Sequence, residues 1–184
     1  VERSGDVNEA IRWCRGETRL GAVRLAARGG AIVGLWFEGQ KHDVLPDETW
    51  RETPGDPLLR EALGQLRDYL AGKRDGFDVA IAPEGTPFQR SVWREIAKVP
   101  AGRTASYGDL ARRLRRPSSV RAVGAAVGRN PLSVVVPCHR IVGSDGSLTG
   151  YAGGLDRKRA LLALERVALD ASRDGIAGKA ESRR

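Results

Sequence analysis

Only two cysteines and two histidines occur among the 184 residues, and each scarcity closes off a class of protein. Two cysteines with no motif that pairs them do not make a disulfide framework, which points to a reducing compartment and a cytoplasmic setting. A four-ligand zinc site would have to spend Cys138 or import carboxylates, because His42 and His139 are the whole histidine supply. No metal and no cofactor is therefore expected. No apolar run approaches the ~20 residues of a membrane span. The first residues, Val1-Glu2-Arg3-Ser4-Gly5-Asp6, also lack the apolar stretch of a signal peptide. A membrane is not an expected partner.

Acidic charge thins out along the chain. Residues 1–85 hold 12 Lys/Arg against 15 Asp/Glu, whereas residues 86–168 hold 15 against 5, so the net +8 comes from the second half. Clustered positive charge is a footprint for polyanions, because phosphate contacts release counterions. A merely solvated basic face is the plain alternative. With 41% hydrophobic residues the chain has material for one large domain or two small ones.

Taken in order, residues 1–16 show no clear pattern. Gly21–Arg28 and Ala31–Phe37 alternate around Gly29-Gly30 and read as a hairpin. Gly39 to Asp56 reads as a loop. Pro57–Leu70 carries apolar residues at helical spacing, with Asp56 as N-cap and Gly72 as the stop. Phe77–Pro83 is expected to add a last strand, and Glu84-Gly85-Thr86 to join two parts. Thr86 with Gln89 predicts a capping box opening a helix at Pro87-Phe88. Ser106 caps a short helix from Tyr107 to Leu114. After Pro117, Ser118 or Ser119 caps a second helix from Val120 to Arg129, so the pair reads as a helix-turn-helix. Two glycines in that second helix, Gly124 and Gly128, weaken it by about 1 kcal/mol each. Either another element packs closely there, or a backbone or nucleic-acid groove must come near, with Arg121 as the one long side chain at the start.

Val134-Val135-Val136 reads as a short buried strand stopped by Pro137, which leaves Cys138 on a stiff turn with His139 and Arg140 beside it. A thiol is a modest nucleophile until a base or a positive field makes it a thiolate. Asp145-Gly146 marks a turn and a small wing. The last helix, Leu155 to Leu169, should turn Leu161, Leu162, Ala163 and Leu164 inward and Arg157, Lys158 and Arg159 outward. Glu165 falls near its apolar side, where a carboxylate needs a partner. Residues 170–184 read as a frayed tail, and Cys14 as an inert packing residue.

Pro137-Cys138-His139-Arg140, Ser106-Tyr107-Gly108, Arg121-Ala122-Val123-Gly124, Asn130-Pro131 and Tyr151-Ala152-Gly153-Gly154-Leu155 together resemble the O6-alkylguanine-DNA alkyltransferases, the methylated-DNA–protein-cysteine methyltransferases. The resemblance runs from about Gly16 to Glu165 and is dense from Pro87 onward. It implies an α+β fold: a small N-terminal antiparallel sheet with a helix (ribonuclease H-like), then a helical winged helix-turn-helix domain. The divisions expected are an extension over 1–15, an α/β domain over 16–83, the active-site domain over 84–169 and a polar tail over 170–184.

It also implies irreversible transfer of an alkyl group from O6-alkylguanine, and O4-alkylthymine, in double-stranded DNA to Cys138. His139 matches the family's base, acting through a water, and Glu165 the residue that orients it. Asn130 matches the hinge asparagine, and Tyr107 the tyrosine that helps rotate the nucleotide and hydrogen-bonds the base. Val127, Ile141, Tyr151 and Ala152 match the pocket wall. Arg121 matches the arginine that fills the vacated stack, on a minor-groove helix with Ser119, Ala122, Gly124, Ala125 and Gly128. The family implies a monomer and leaves cooperativity along DNA open. Members with a structural zinc hold it through residues this chain lacks. A non-catalytic lesion-binding relative is the alternative, against which Cys138 argues; a thiol hydrolase or redox protein is a third, with no resolving cysteine nearby.

Overall fold

The computed structural model describes residues 9–170 and 175–177. They fall into two compact units, one of residues up to Glu84 together with Pro131–Val135, the other of Gly85–Asn130 and the residues from Val136 onward.

The first unit is a four-stranded sheet in the order β3-β2-β1-β4 with one helix against it. β2 (Gly21–Arg28) and β3 (Ala31–Phe37) form the expected hairpin, and Gly29 takes the positive φ of 56° that its turn requires. β1 (Arg12–Thr18) lies inside a stretch whose sequence shows no pattern, because its arginines and Glu17 mask a period-two burial of Cys14 and Gly16. Pairing to β2 makes it a strand, not its own propensity. β4 (Arg51–Glu52) runs parallel to β1, so the sheet is mixed rather than antiparallel.

Helix α1 (Pro57–Leu70) starts where Asp56 accepts a hydrogen bond from the Leu59 N–H, and it buries Leu59, Ala62, Leu66, Tyr69 and Leu70. Each fully buried leucine contributes about 2 kcal/mol of transfer free energy. A side chain at Gly16 would collide with Leu63 of this helix, so glycine sets how near α1 comes. The strand expected over 77–83 shrinks to one parallel bridge, Ile32 to Ile81. Gln65 claims the Asp78 N–H at one end, and Pro83 has no N–H to donate at the other.

The valine run also departs from the expected strand. Leu35 of β3 donates to the Pro131 carbonyl (2.8 Å) and accepts from the Ser133 N–H (2.9 Å), but pairing stops there. Val134 takes φ 72°, and the Val135 N–H closes a three-residue γ-turn on the Ser133 carbonyl at 2.9 Å. The burial that three valines signalled is real for Val134 and Val136. The ladder is not.

In the second unit α2 (Pro87–Ala97) opens with the expected Thr86–Gln89 capping box and packs on α3 and α4 through Val92, Trp93 and Ile96. The Trp93 indole N–H donates to the Ala126 carbonyl at 2.9 Å, locking α2 to α4. β5 (Ala105–Ser106) pairs in parallel with β6 (Ile141–Val142). α3 (Tyr107–Arg113) starts on a second capping box, Ser106 with Asp109. A 3-10 turn over Pro117–Ser119 leads into α4 (Val120–Gly128). Neither Ser118 nor Ser119 supplies the expected cap: Ser119 has φ −94° and ψ 24°, not the extended backbone a capping hydroxyl needs.

α5 (Leu155–Leu164) is five residues shorter than expected and ends at Glu165. Leu161 and Leu162 point inward, but Ala163 is exposed and Lys158 is fully buried, the reverse of the expected faces. β7 (Leu169–Asp170) and β8 (Gly175–Ile176) pair where a frayed tail was expected. The rest of that tail and residues 1–8 lie outside the described residues. Among the described residues no helix is long and apolar enough to cross a membrane.

Candidate active site

Two tight turns in succession aim the sulfur. Pro137, with φ −79° and ψ 62°, is the centre of an inverse γ-turn in which the Cys138 N–H donates to the Val136 carbonyl at 2.8 Å. A 3-10 turn over Cys138–Arg140 follows and runs into β6. Asn130, at the end of α4, holds both: its amide donates to the Val136 carbonyl (2.8 Å) and to Cys138 Sγ (3.1 Å). Cys138 is 5% exposed. Burial pushes its thiol up, and the Asn130 hydrogen bond and the positive charge of Lys158 pull the other way without reversing the shift. The resting group is a neutral thiol, so attack requires a base.

His139, the next residue, is fully buried, with Nε2 2.6 Å from Glu165 Oε1. Arg140 grips the same carboxylate twice, Nε to Oε2 at 2.9 Å and Nη2 to Oε1 at 3.0 Å. A carboxylate taking two guanidinium bonds is ionised and only accepts, so His139 Nε2 carries the proton. Nδ1 is then the basic nitrogen, and it has no hydrogen-bond partner among the described residues. Burial keeps His139 below its ordinary range despite the pull of Glu165.

The β5–β6 pairing sets Tyr107, the first residue of α3, next to this strand, with its hydroxyl donating to the carbonyls of Thr149 (3.2 Å) and Gly150 (3.4 Å). The Tyr151 ring meets His139 edge-on at 6.4 Å. Val127 and Ile141 are buried, whereas Tyr151 and Ala152 are half-buried. An open depression of about 600 Å³, lined by Thr86, Pro87, Phe88, Ser91, Leu114 and Arg116, shares no residue with this cluster. No three His, Cys, Asp or Glu residues among those described are grouped to hold a metal.

Sequence reasoning missed Lys158. Its ammonium donates to the carbonyls of Ile141 (2.6 Å) and Thr149 (2.9 Å), bracing the segment that Tyr107 also touches. Burial lowers its pKa to about 8. The folded protein therefore holds that proton less tightly than the unfolded chain does. Stability should rise as pH climbs from about 8 to the unfolded value near 10.5. Urea denaturation at pH 8 and pH 10 should show this gain in the wild type and not in Lys158→Met; equal gains in both would rule out Lys158 as its source. The signal available in sequence was a lysine three residues before two inward leucines.

On α4 the side chains of Arg121, Ala122 and Ala125 are exposed, and Gly124, Gly128 and Ser119 are half-buried. A methyl at Gly124 would meet only Tyr107, at 3.8 Å, and at Gly128 nothing within 4 Å. Internal packing thus requires neither glycine. Gly128→Ala should leave thermal stability unchanged or raised by up to ~1 kcal/mol, whereas Gly128→Leu should weaken duplex binding without unfolding the protein. A Gly128→Leu protein that binds DNA like wild type would remove the groove explanation.

Residues 87–167 match the family model described as 6-O-methylguanine DNA methyltransferase, DNA binding domain. The methylated-DNA–protein-cysteine methyltransferase of Methanosarcina acetivorans is 45% identical over 150 residues, covering 81% of this chain and 94% of that protein. The one of Mycolicibacterium paratuberculosis is 44% identical over 151 residues, covering 82% and 89%. The crystal structure of Mycobacterium tuberculosis OGT in complex with DNA matches with a TM-score of 0.78 at 39% identity, over 84% of this chain and 92% of that one. A buried cysteine with its histidine, glutamate and asparagine, on a scaffold shared at this level of identity, leads to one statement: this chain belongs to the methylated-DNA–protein-cysteine methyltransferase family.

Proposed function

We propose that this protein repairs double-stranded DNA by taking the alkyl group from O6-alkylguanine, and from O4-alkylthymine, onto Cys138 in a single irreversible turnover. The observation that carries the reading is the hydrogen-bonded cluster Asn130–Cys138 with His139–Glu165. Exposed Arg121 enters the base stack while the smooth face of α4, Ser119, Ala122, Gly124, Ala125 and Gly128, lies in a widened minor groove. The damaged nucleotide rotates out and sits against Val127, Ile141, Tyr151 and the Ala152 backbone.

The Cys138 proton passes through a bridging water to His139 Nδ1, and Glu165 stabilises the imidazolium that results. The thiolate attacks the alkyl carbon in line, forming S–C as C–O6 breaks. Asn130 holds the sulfur on its trajectory. Tyr107 releases its bonds to the Thr149 and Gly150 carbonyls and gives its proton to the departing guanine, which leaves neutral; the proton that His139 took from Cys138 then returns through water to restore the tyrosine hydroxyl and the neutral ring. The thioether has no route back to a thiol, so one protein repairs one lesion. The protein works as a monomer, in a cytoplasm reducing enough to keep the thiol free.

Incubation with DNA carrying radiolabelled O6-methylguanine tests this. One equivalent of label should end on Cys138, found by peptide mapping, with none released. Repeated turnover, or label on another residue, would overturn the assignment.

A further inference from the structure

The fourth residue of the Pro-Cys-His-Arg block has no part in the steps above, yet its side chain makes three hydrogen bonds within the cluster. Arg140 is buried, and its third nitrogen, Nη1, donates to the Val99 carbonyl beyond the end of α2 at 2.5 Å. With Nε and Nη2 on Glu165, three of its donors are fixed in direction. A plain crosslink between α2 and α5 would use such an arginine too, but it would not need both oxygens of the carboxylate that His139 shares.

We propose that Arg140 is a positioning residue for alkyl transfer: by gripping both oxygens of Glu165 it balances that carboxylate, so that His139 stays a neutral base instead of being drawn into an imidazolium–carboxylate pair. This rests on the reading of His139 as the base.

Charge accounting supports it. The groups facing His139 are Glu165 and Lys158 from α5, Arg140 and Cys138 from its own turn, and the Tyr151 ring. Glu165 and Arg140 cancel. An imidazolium would then be a surplus positive charge, buried and close to the Lys158 ammonium, which is costly. Without Arg140, the Glu165 carboxylate would be balanced by Lys158 alone and would face the ring without its guanidinium partner, so an imidazolium would add less surplus charge and pair directly with Oε1. The arginine thus shifts the ring toward its neutral state. Arg140 and Lys158 both act to lower the proton affinity of His139, after burial itself and against the pull of Glu165. The guanidinium plane also fixes the carboxylate, so Oε1 stays where the Nε2–H reaches it and Nδ1 remains the nitrogen left for the thiol proton.

The chain's two histidines make the ring state directly readable, since His42 in an exposed loop serves as the internal reference. In the intact protein with nitrogen-15 histidine, the ring shifts of His139 should report the neutral Nε2–H form from pH 6.5 to pH 8. In Arg140→Met the midpoint should move up by at least one pH unit. Single-turnover alkyl transfer at saturating DNA should fall at least tenfold at pH 6.5, with the gap narrowing above pH 8.5. Arg140→Lys, which keeps the charge, should restore the neutral ring.

A wild-type imidazolium at pH 7, an imidazolium in Arg140→Lys, or a rate loss in Arg140→Met equal at every pH would each overturn the proposal. Should Arg140→Met fail to fold, the wild-type and Arg140→Lys spectra still decide it. The ring state is read without alkylation, so a failure here is separable from a failure of Cys138 to accept label.

Discussion

A Cys138→Ser protein is expected to bind duplex DNA containing O6-methylguanine with near wild-type affinity and to accept no label from it. The hydroxyl fills almost the same volume, so the inverse γ-turn at Pro137 and the Asn130 contact to Val136 should persist. What is lost is chemistry. Even with its thiol pushed up by burial, Cys138 can reach a thiolate once His139 takes the proton, whereas a serine alkoxide lies far out of reach of a lone imidazole. Electrophoretic mobility shifts and label transfer on the same preparation separate the two properties. Residual transfer by Cys138→Ser would mean that another residue is the acceptor. Loss of binding together with transfer would mean that the sulfur is needed for the fold of the site and leave its chemical role unsupported.

Arg121→Ala should slow repair of duplex DNA on the order of 100-fold, because unstacking a base costs a few kcal/mol and each 1.36 kcal/mol is tenfold in rate. Reaction with free O6-benzylguanine, which has no stack to leave, should be almost unchanged. Arg121 is exposed on the second residue of α4 and contributes no buried area to the core, so its removal gives little reason for unfolding. Comparing the two substrates cancels any general damage to the thiol. Equal losses on both would refute the stacking role.

The helix starts were legible because their causes are local. Asp56, Thr86 with Gln89, and Ser106 each cap within three residues, and the structure has all three. The Cys138 neighbourhood was legible for a different reason: proline restricts its own backbone, and an asparagine at the end of a helix finds nearby turn carbonyls. β1, the mixed sheet and the γ-turn at Val134 were not legible. Each depends on which strand edge happens to be available, and three valines favour a ladder only if a partner is there to take it.

Lys158 and Arg140 mark the same boundary inside the site. Its spacing from Leu161 and Leu162 sets Lys158 on the inward side of the helix, but only the convergence of the Ile141 and Thr149 carbonyls on one point of α5 gives a buried ammonium its reason. By itself the sequence determined the family and singled out Cys138 and its immediate neighbours, because those are short-range patterns of residue type. Tertiary structure alone decided which charges are buried together, since the cost of a buried charge is set by groups dozens of residues away, and that sum of charges governs whether His139 is free to act as a base.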